Sequence, residues 1–427
     1  MGFVNSLRLR ARRALRSRVL RNLVLVLAAY TLLDALRVQR IITGATPPRE
    51  AIAKQPRKTQ KVYIAGMHYN DGALIKEHWN AAVLGLVDAL GRGNVFVSVY
   101  ESGSWDESKV WLRQLDDELF KRGVRRNVVL DERTHLQEVE EGEKEAEGGA
   151  EGGKKEGWIM TPRGKKEMRR IPFLARLRNL TLRDLWRLTD EGEVFDTVLF
   201  LNDVVFTAED VLALLDTNGG LYAAACSLDF SEPSSYYDTF ALRDSAGQAH
   251  LMQTWPYFRS AASRAAMMAY ADAVPVRSCW NGIVAMPAAP FLAPEASGRR
   301  LRFRAVADSL AEEKHLEGSE CCLIHVDNPL TEHLGVWLNP RVRVGYDGDA
   351  YRWANPAEGS WVSVWRVIVG KWEGRLRRLL TSDSVKEWVV RKRVREWEAE
   401  GEGRSEKGVD CLINEGQVLV YNGWAHV

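Results

Sequence analysis

Residues Phe195–Phe206 read FDTVLFLNDVVF, a nearly continuous apolar run broken by one polar pair. Such a run predicts a central strand covered on both faces. Asn202–Asp203 at its end is the informative part, because a buried carboxylate costs several kcal/mol unless it is paired or holds a cation. The bland alternative is a cap for the next helix. Thr207, just before Ala-Glu-Asp, is better placed for that role. Asp203 is therefore a candidate site residue.

Working upstream, a strand starts sharply at Lys61 in KVYIAGMHYND. Asp71 to Leu90 then carries Leu74, Ile75, Trp79, Val83, Leu86, Val87 and Leu90 at helical spacing. Gly91 and Gly93 stop that helix. A second strand (NVFVSVYES), a helix across Trp105–Arg122 and a third strand at Arg126–Asp131 follow. This alternation predicts an α/β fold with a mostly parallel central sheet and crossover helices. Ligands of such sheets bind outside the carboxyl ends of the strands. Residues 138–157 hold eight Glu and six Gly with hardly any apolar side chains, which predicts a disordered acidic insertion. A helix near Leu174–Leu188 then leads into the central strand.

The 427 residues are 46% hydrophobic and 27% charged, which excludes collagen-like, wholly disordered and multi-span membrane classes. The net charge of +2 hides an asymmetry: residues 1–40 carry nine Arg and one acid, leaving −6 for the rest. A mildly acidic body without a basic stripe argues against nucleic acid as a partner. After the arginines comes LVLVLAAYTLL, Leu23–Leu33, within a marginal 20-residue span from Val19 to Val38. The expected unit is a basic cytoplasmic tail and single-pass anchor over 1–40, followed by a stem over 41–60. A cleaved signal peptide and an interfacial helix are the rival readings. The positive-inside rule leaves the body lumenal. Five cysteines without a CxxC pair permit one or two disulfides there and leave one thiol over.

Residues 351–427 hold seven of the 15 Trp. Trp361, Trp365, Ile368, Trp372, Leu376 and Leu379 share one helical face, opposite Arg366, Lys371, Arg375 and Arg378. Ser384 to Glu387 reads as a capping box opening a second helix through Trp397. This predicts a Trp-rich helical appendage over 347–427, packed on the body through the stripe. A membrane-surface contact through its basic face is a second reading.

The body over 61–346 resembles the fungal glycosyltransferase family 69, which includes the cryptococcal α-1,3-mannosyltransferase and the capsule-associated proteins. The resemblance is carried by VYIAGMHYN, VSVYESGSWD, IPFLARLRN, FLNDVVF, AAACSLDF, YYDTFALRD, QTWPYFRS, VRSCWNG, LEGSECCLIHVDNP and VWLNPRVRVGY, in that order. It implies a type II Golgi-membrane enzyme with a lumenal GT-A-like nucleotide-sugar domain. GDP-mannose is the expected donor, a glycan or polysaccharide the acceptor, and Mn²⁺ or Mg²⁺ the cation.

Such folds hold the cation with Asp-x-Asp at the end of a central strand. Here Leu201-Asn202-Asp203-Val204 stands at that place. Asp203 is the expected ligand, and Asn202 a weak oxygen ligand or a donor-ribose contact. One carboxylate binds a hard cation less well than two, so a second ligand is sought in His325 or Asp327. Glu101 ends the second strand, where a carboxylate suits guanine N1–H and N2–H₂ donors. Arg178 and Asn179 are expected donor contacts. Glu320 is the candidate catalytic carboxylate alongside Asp203, with Asp308 as a further choice. Trp280, Asn281 and Gly282 read as an acceptor-facing turn. The missing first Asp also motivates a different class, a non-catalytic anchored partner of such enzymes. A transferase using another nucleotide sugar is the remaining alternative.

Overall fold

A computed structural model describes residues 18–44, 59–147, 156–233, 235–294, 298–421 and 423–427. The apolar N-terminal run forms helix α1 (Arg18–Gly44), long and apolar enough to cross a membrane. Alternating elements follow as β1 (Val62–His68), α2 (Asn80–Leu90), β2 (Val95–Glu101), α3 (Ser108–Lys121) and β3 (Arg125–Leu130). Next come α4 (His135–Glu147) and the hairpin of β4 (Trp158–Met160) and β5 (Lys166–Met168). Helices α5 (Arg170–Thr181) and α6 (Arg183–Asp190) lead to β6 (Thr197–Leu201) and α7 (Ala208–Leu215). The second half supplies β7 (Ala224–Glu232), β8 (Ser235–Tyr236), β9 (Arg243–Asp244), β10 (Val274–Ser278) and β11 (Ile283–Pro287). It continues through β12 (Glu317–Gly318), α8 (Glu320–Asp327) and β13 (Val336–Gly345). The tail holds α9 (Val364–Leu380), α10 (Ser384–Ala399), β14 (Leu412–Ile413), β15 (Gln417–Val420) and β16 (Gly423–His426).

Among the described residues the main sheet runs β3-β2-β1-β6-β11-β7-β13-β10-β9, with β8 on β7. The β3-β2-β1-β6 half is parallel, as the strand–helix alternation predicts. Beyond it β11 enters antiparallel between β6 and β7, and β10 and β9 are antiparallel too, so the α/β sheet is mixed. The apolar run of β6 is explained by two cores. Leu199 and Leu201 join Val62, Ile64, Trp79 and Leu112 on one face, while Val198 and Phe200 join Tyr63, Phe96 and Leu185 on the other. Side chains of a strand alternate between faces, so a strand covered on both sides must be apolar throughout. Thr207 makes the full capping box of α7 with Asp210 and thereby frees Asp203 from that task.

Three expectations change. The acidic stretch is not without structure along its length: 138–147 belongs to α4, where half-buried Val139 packs on Trp158 and Phe173, and Glu138 pairs with Arg176. Residues 148–155 lie outside the described residues. The anchor does not end at 40, because α1 runs to Gly44 and buries Ala35, Val38 and Ile42 in the body core. Asp34 also pairs with Lys371 of α9. The tail docks by only part of the expected stripe: Trp361 is buried and Ile368 packs on the core, with Val367, Gly370 and Gly374 of α9 buried beside them, while Trp365, Trp372, Leu376 and Leu379 are exposed. The glycines decide this, since a Cβ at Gly370 would run into the carbonyl of Trp255. Helix α10 starts from Asp383 rather than from a capping box at Ser384.

The tail is also tied covalently to the body. Cys322 is bonded to Cys411 and Cys226 to Cys279, leaving Cys321 as the buried free thiol. β14 pairs with β12 beside the Cys322–Cys411 bond. Sequence separations of 53 and 89 residues imply ~4 kcal/mol of chain-entropy stabilisation for each bond. Urea melts with and without reductant are expected to differ by about that amount per bond broken. Unchanged midpoints would show that the thiols are not paired.

Candidate active site

The register of the parallel strands brings the site together. His68 lies opposite Glu101, and Gly66 opposite Leu201, so the carboxyl ends of β1, β2 and β6 share one edge. Asp203 follows β6 directly and reaches the level of His68. Both line a cavity of about 300 Å³ with Tyr69, Ser102, His135, Arg170, Phe173 and Trp424. Part of its wall comes from the tail, where Arg170 lies 4.5 Å from the Trp424 ring and His135 Nε2 lies 3.0 Å from the Val420 carbonyl. The tail therefore completes the cavity rather than standing apart from the 61–346 unit.

His68 Nδ1 lies 2.5 Å from Asp71 Oδ2, which leaves its buried Nε2 without a hydrogen-bond partner. Burial opposes a charge on the ring, yet Asp71, Asp203 and Glu101 outweigh it and raise the His68 pKa. Burial pushes Asp203 up to about 6, and Asp71 adds to the shift, while His68 and Arg178 pull the other way. An imidazole oriented by one carboxylate, with its other nitrogen unpartnered in a cavity that a second carboxylate also lines, supplies donors of the kind a divalent cation takes. His68 and Asp71 were not foreseen. They stand in the quoted VYIAGMHYN block and just after it, but only the strand register places them beside Asp203.

Arg178 is the second centre. Its Nε donates to Glu320 Oε1 at 2.9 Å, and its guanidinium lies 4.8 Å from the Trp280 ring. Three residues expected in donor, catalytic and acceptor roles thus meet in one cluster. Trp280 Nε1 lies 3.3 Å from Asn202 Oδ1, and the Gly282 carbonyl accepts from the Asn202 N–H at 3.1 Å. Gly282 has φ +84°, and a Cβ there would run into Val344. The Trp280-Asn281-Gly282 turn is buried and props up Asn202, so it is not the open acceptor surface expected of it.

Asn281 instead donates to Asp229 Oδ1 at 3.0 Å, where Tyr346 Oη also donates to Oδ2 at 3.1 Å. Burial and the charge of Asp238 hold the Asp229 carboxyl above its ordinary range, and burial and the charge of Glu320 do the same for Asp238. Asp229 and Asp238 are further residues the sequence reading did not single out. An acid inside the apolar SLDF of β7 was the available signal.

Other expected residues take structural places. His325 is fully buried behind the Cys226–Cys279 bond with Nε2 2.7 Å from the Cys279 carbonyl, and burial pushes it down to about 4. Those two sulfurs are spent in a disulfide, so this trio holds no cation. The expected metal role of His325 is thus not matched by its surroundings, and Asp327 is occupied by Arg304. Glu101 is buried, accepting from the Ser104 N–H with Lys109 3.9 Å away, so it shapes the 102–104 loop beside the cavity. Asn179 bonds the Phe303 backbone in both directions, and Asp308 pairs with Arg169.

The family pattern for cryptococcal mannosyltransferase 1 matches residues 61–327. The chain belongs to the cryptococcal mannosyltransferase 1 family. The match spans β1 through α8 and so contains Asp203, His68, Asp71, Arg178, Glu320, Asp229 and Asp238. Membership in this family of glycosyltransferases agrees with the resemblance read from the sequence blocks. No curated protein matches the chain. Among solved structures, the mannosyltransferase PcManGT from Pyrobaculum calidifontis, in complex with GDP-Man and Mn²⁺, is 12% identical. It covers 88% of this chain and 89% of its own, at a TM-score of 0.37. Glucosyl-3-phosphoglycerate synthase from Mycobacterium tuberculosis, with Mn²⁺ and UDP, is 16% identical over 70% and 73% of the two chains, at a TM-score of 0.30.

Proposed function

We propose that the chain is an α-1,3-mannosyltransferase that moves mannose from GDP-mannose to a glycan or polysaccharide acceptor with retention, assisted by Mn²⁺ or Mg²⁺. The observation that carries this reading is the orphan His68 Nε2 in a cavity that Asp203 also lines, at the carboxyl ends of the strands. Asp203 and His68 would hold the cation, with Asp71 orienting the ring. When bound, the cation neutralises charge on the departing diphosphate. Arg178 adds a fixed positive charge in the same neighbourhood, and Glu320 keeps it in place. Tyr69, Phe173 and Trp424 supply aromatic surface for a purine. Asp229, pushed up to about 7 by burial and by the charge of Asp238, is the carboxyl poised to hold or release a proton near neutral pH.

Two disulfides and one apolar N-terminal helix support a single-pass type II protein of the Golgi membrane with its body in the oxidising lumen. The alternative is a non-catalytic anchored partner, which would bind neither GDP nor Mn²⁺.

Calorimetric titration of GDP with and without Mn²⁺ separates these readings. Each ligand is expected to tighten the other. The cation takes the ionised form of Asp203 and the neutral form of His68, whose neighbouring acids favour its charged form, so joint affinity should rise with pH and fall by about tenfold or more per unit below pH 6. A scaffold would show no binding at any pH. Binding that ignores pH across this window would remove Asp203 from the cation site.

A further inference from the structure

The outer face of α9 carries Trp365, Val369, Trp372, Leu376 and Leu379 at spacings of four, three, four and three residues. They are 70, 38, 40, 57 and 83% exposed, so they form an unbroken apolar stripe along the helix. The stripe continues into Val385 and Trp388 of α10. Arg375, Arg377 and Arg378 crowd its end, Arg375 lying 4.7 Å from the Trp372 ring. Burial and the like charges of Arg264, Arg375 and Arg259 destabilise the charge on Arg378, so this end is a cationic cluster. Over residues 375–395 eight basic residues face two acids.

The place of α9 in the fold says what covers the stripe. Another face of the same helix packs on α1, through the Asp34–Lys371 pair and beside the buried Ala35, Val38 and Ile42. The large apolar residues of α1 from Val19 to Leu33 are exposed. We propose that the stripe of α9, with Val385 and Trp388, lies in the headgroup layer of the bilayer entered by α1, its arginines drawn to anionic lipid. Tryptophan with interleaved cations is the composition of interfacial helices. A second copy would suit the spacing but would set one arginine cluster against another. The inference rests on reading α1 as a membrane helix.

The test uses the full chain in phosphatidylcholine vesicles with or without phosphatidylserine, carrying a fluorescent label at one introduced cysteine. Leu376→Cys reads the stripe, Leu27→Cys reads α1, and Lys121→Cys on α3 is the water-exposed control. Nitroxide lipids are expected to quench the Leu376 label several-fold more than the Lys121 label, and more with phosphatidylserine present. Replacing Arg375 and Arg378 by Gln should lower the partition constant of the stripe about fivefold per arginine, and replacing Arg377, paired with Glu373, should lower it less. A Leu376 label as wet as Lys121 overturns the proposal, whatever Leu27 reports. Energy transfer between Leu376 labels on different copies, without lipid quenching, overturns it in favour of a dimer. If Leu27 is wet while Leu376 is quenched, the reading of α1 fails and the surface contact stands.

Discussion

Asp203→Asn protein is expected to lose metal-dependent sugar transfer by ~10²–10³ in kcat while remaining folded. The loss follows from removing the carboxylate that would hold the cation against the departing diphosphate. Stability without metal should move the other way. The folded carboxyl titrates at about 6, above its ordinary value of 3.8, so folding favours its protonated form. That preference favours folding at acid pH, and its cost grows as pH rises through this window. At pH 7 the neutral amide removes the cost, and a gain of about 1–2 kcal/mol is expected, discounted for partial exposure and for the lost attraction to His68. Thermal melts of metal-free protein at pH 7 and pH 4 check the sign, since the gain should vanish at the lower pH. A large drop in melting temperature with unchanged turnover would make Asp203 structural and sink the transferase reading at its centre. Asn202→Ala should be milder, because its amide oxygen is engaged with Trp280.

Removing the Arg178 charge gives the second large effect. Its side chain is 12% exposed and that of its partner Glu320 is 3% exposed. Arg178→Met leaves Glu320 buried without its cation, at a cost of about 3–5 kcal/mol in urea unfolding. Adding Glu320→Leu should recover most of that loss, because two apolar groups in contact carry no desolvation cost. Donor binding should fall in both proteins, since both lack the positive charge that acts on Asp203. A single variant within ~1 kcal/mol of the parent would show the pair to be solvent-screened. Full donor binding in the double variant would remove Arg178 from the site.

The tail changes how these variants are read. Trp424 and Val420 belong to the last hairpin, yet they wall the same cavity as Asp203. Truncation at residue 346 would therefore open the candidate site and unpair Cys322, so loss of activity in such a protein would not speak to catalysis.

Local pattern was enough for the parallel half of the sheet, the covered strand β6 and the place of Asp203 just past its carboxyl end. Each depends on periodicity within a few residues and on the rule that ligands gather at strand ends. It was also enough for the long apolar helix and for Thr207 as the cap of α7. Partnerships between distant segments were another matter. Which histidine shares a cavity with Asp203 depends on the register of β1 against β6, and that register is set by the packing of both sheet faces. His68 and His325 look alike as residues in apolar surroundings. Each keeps one unpartnered ring nitrogen, and only the fold puts His68 on the cavity that Asp203 lines and buries His325 behind a disulfide against the Cys279 carbonyl. The Trp stripe of α9 likewise has one helical period whether it faces core or solvent. Gly370 lets the opposite face approach Trp255, so the close contact of two backbones, and not the apolar pattern, decided which side turned outward.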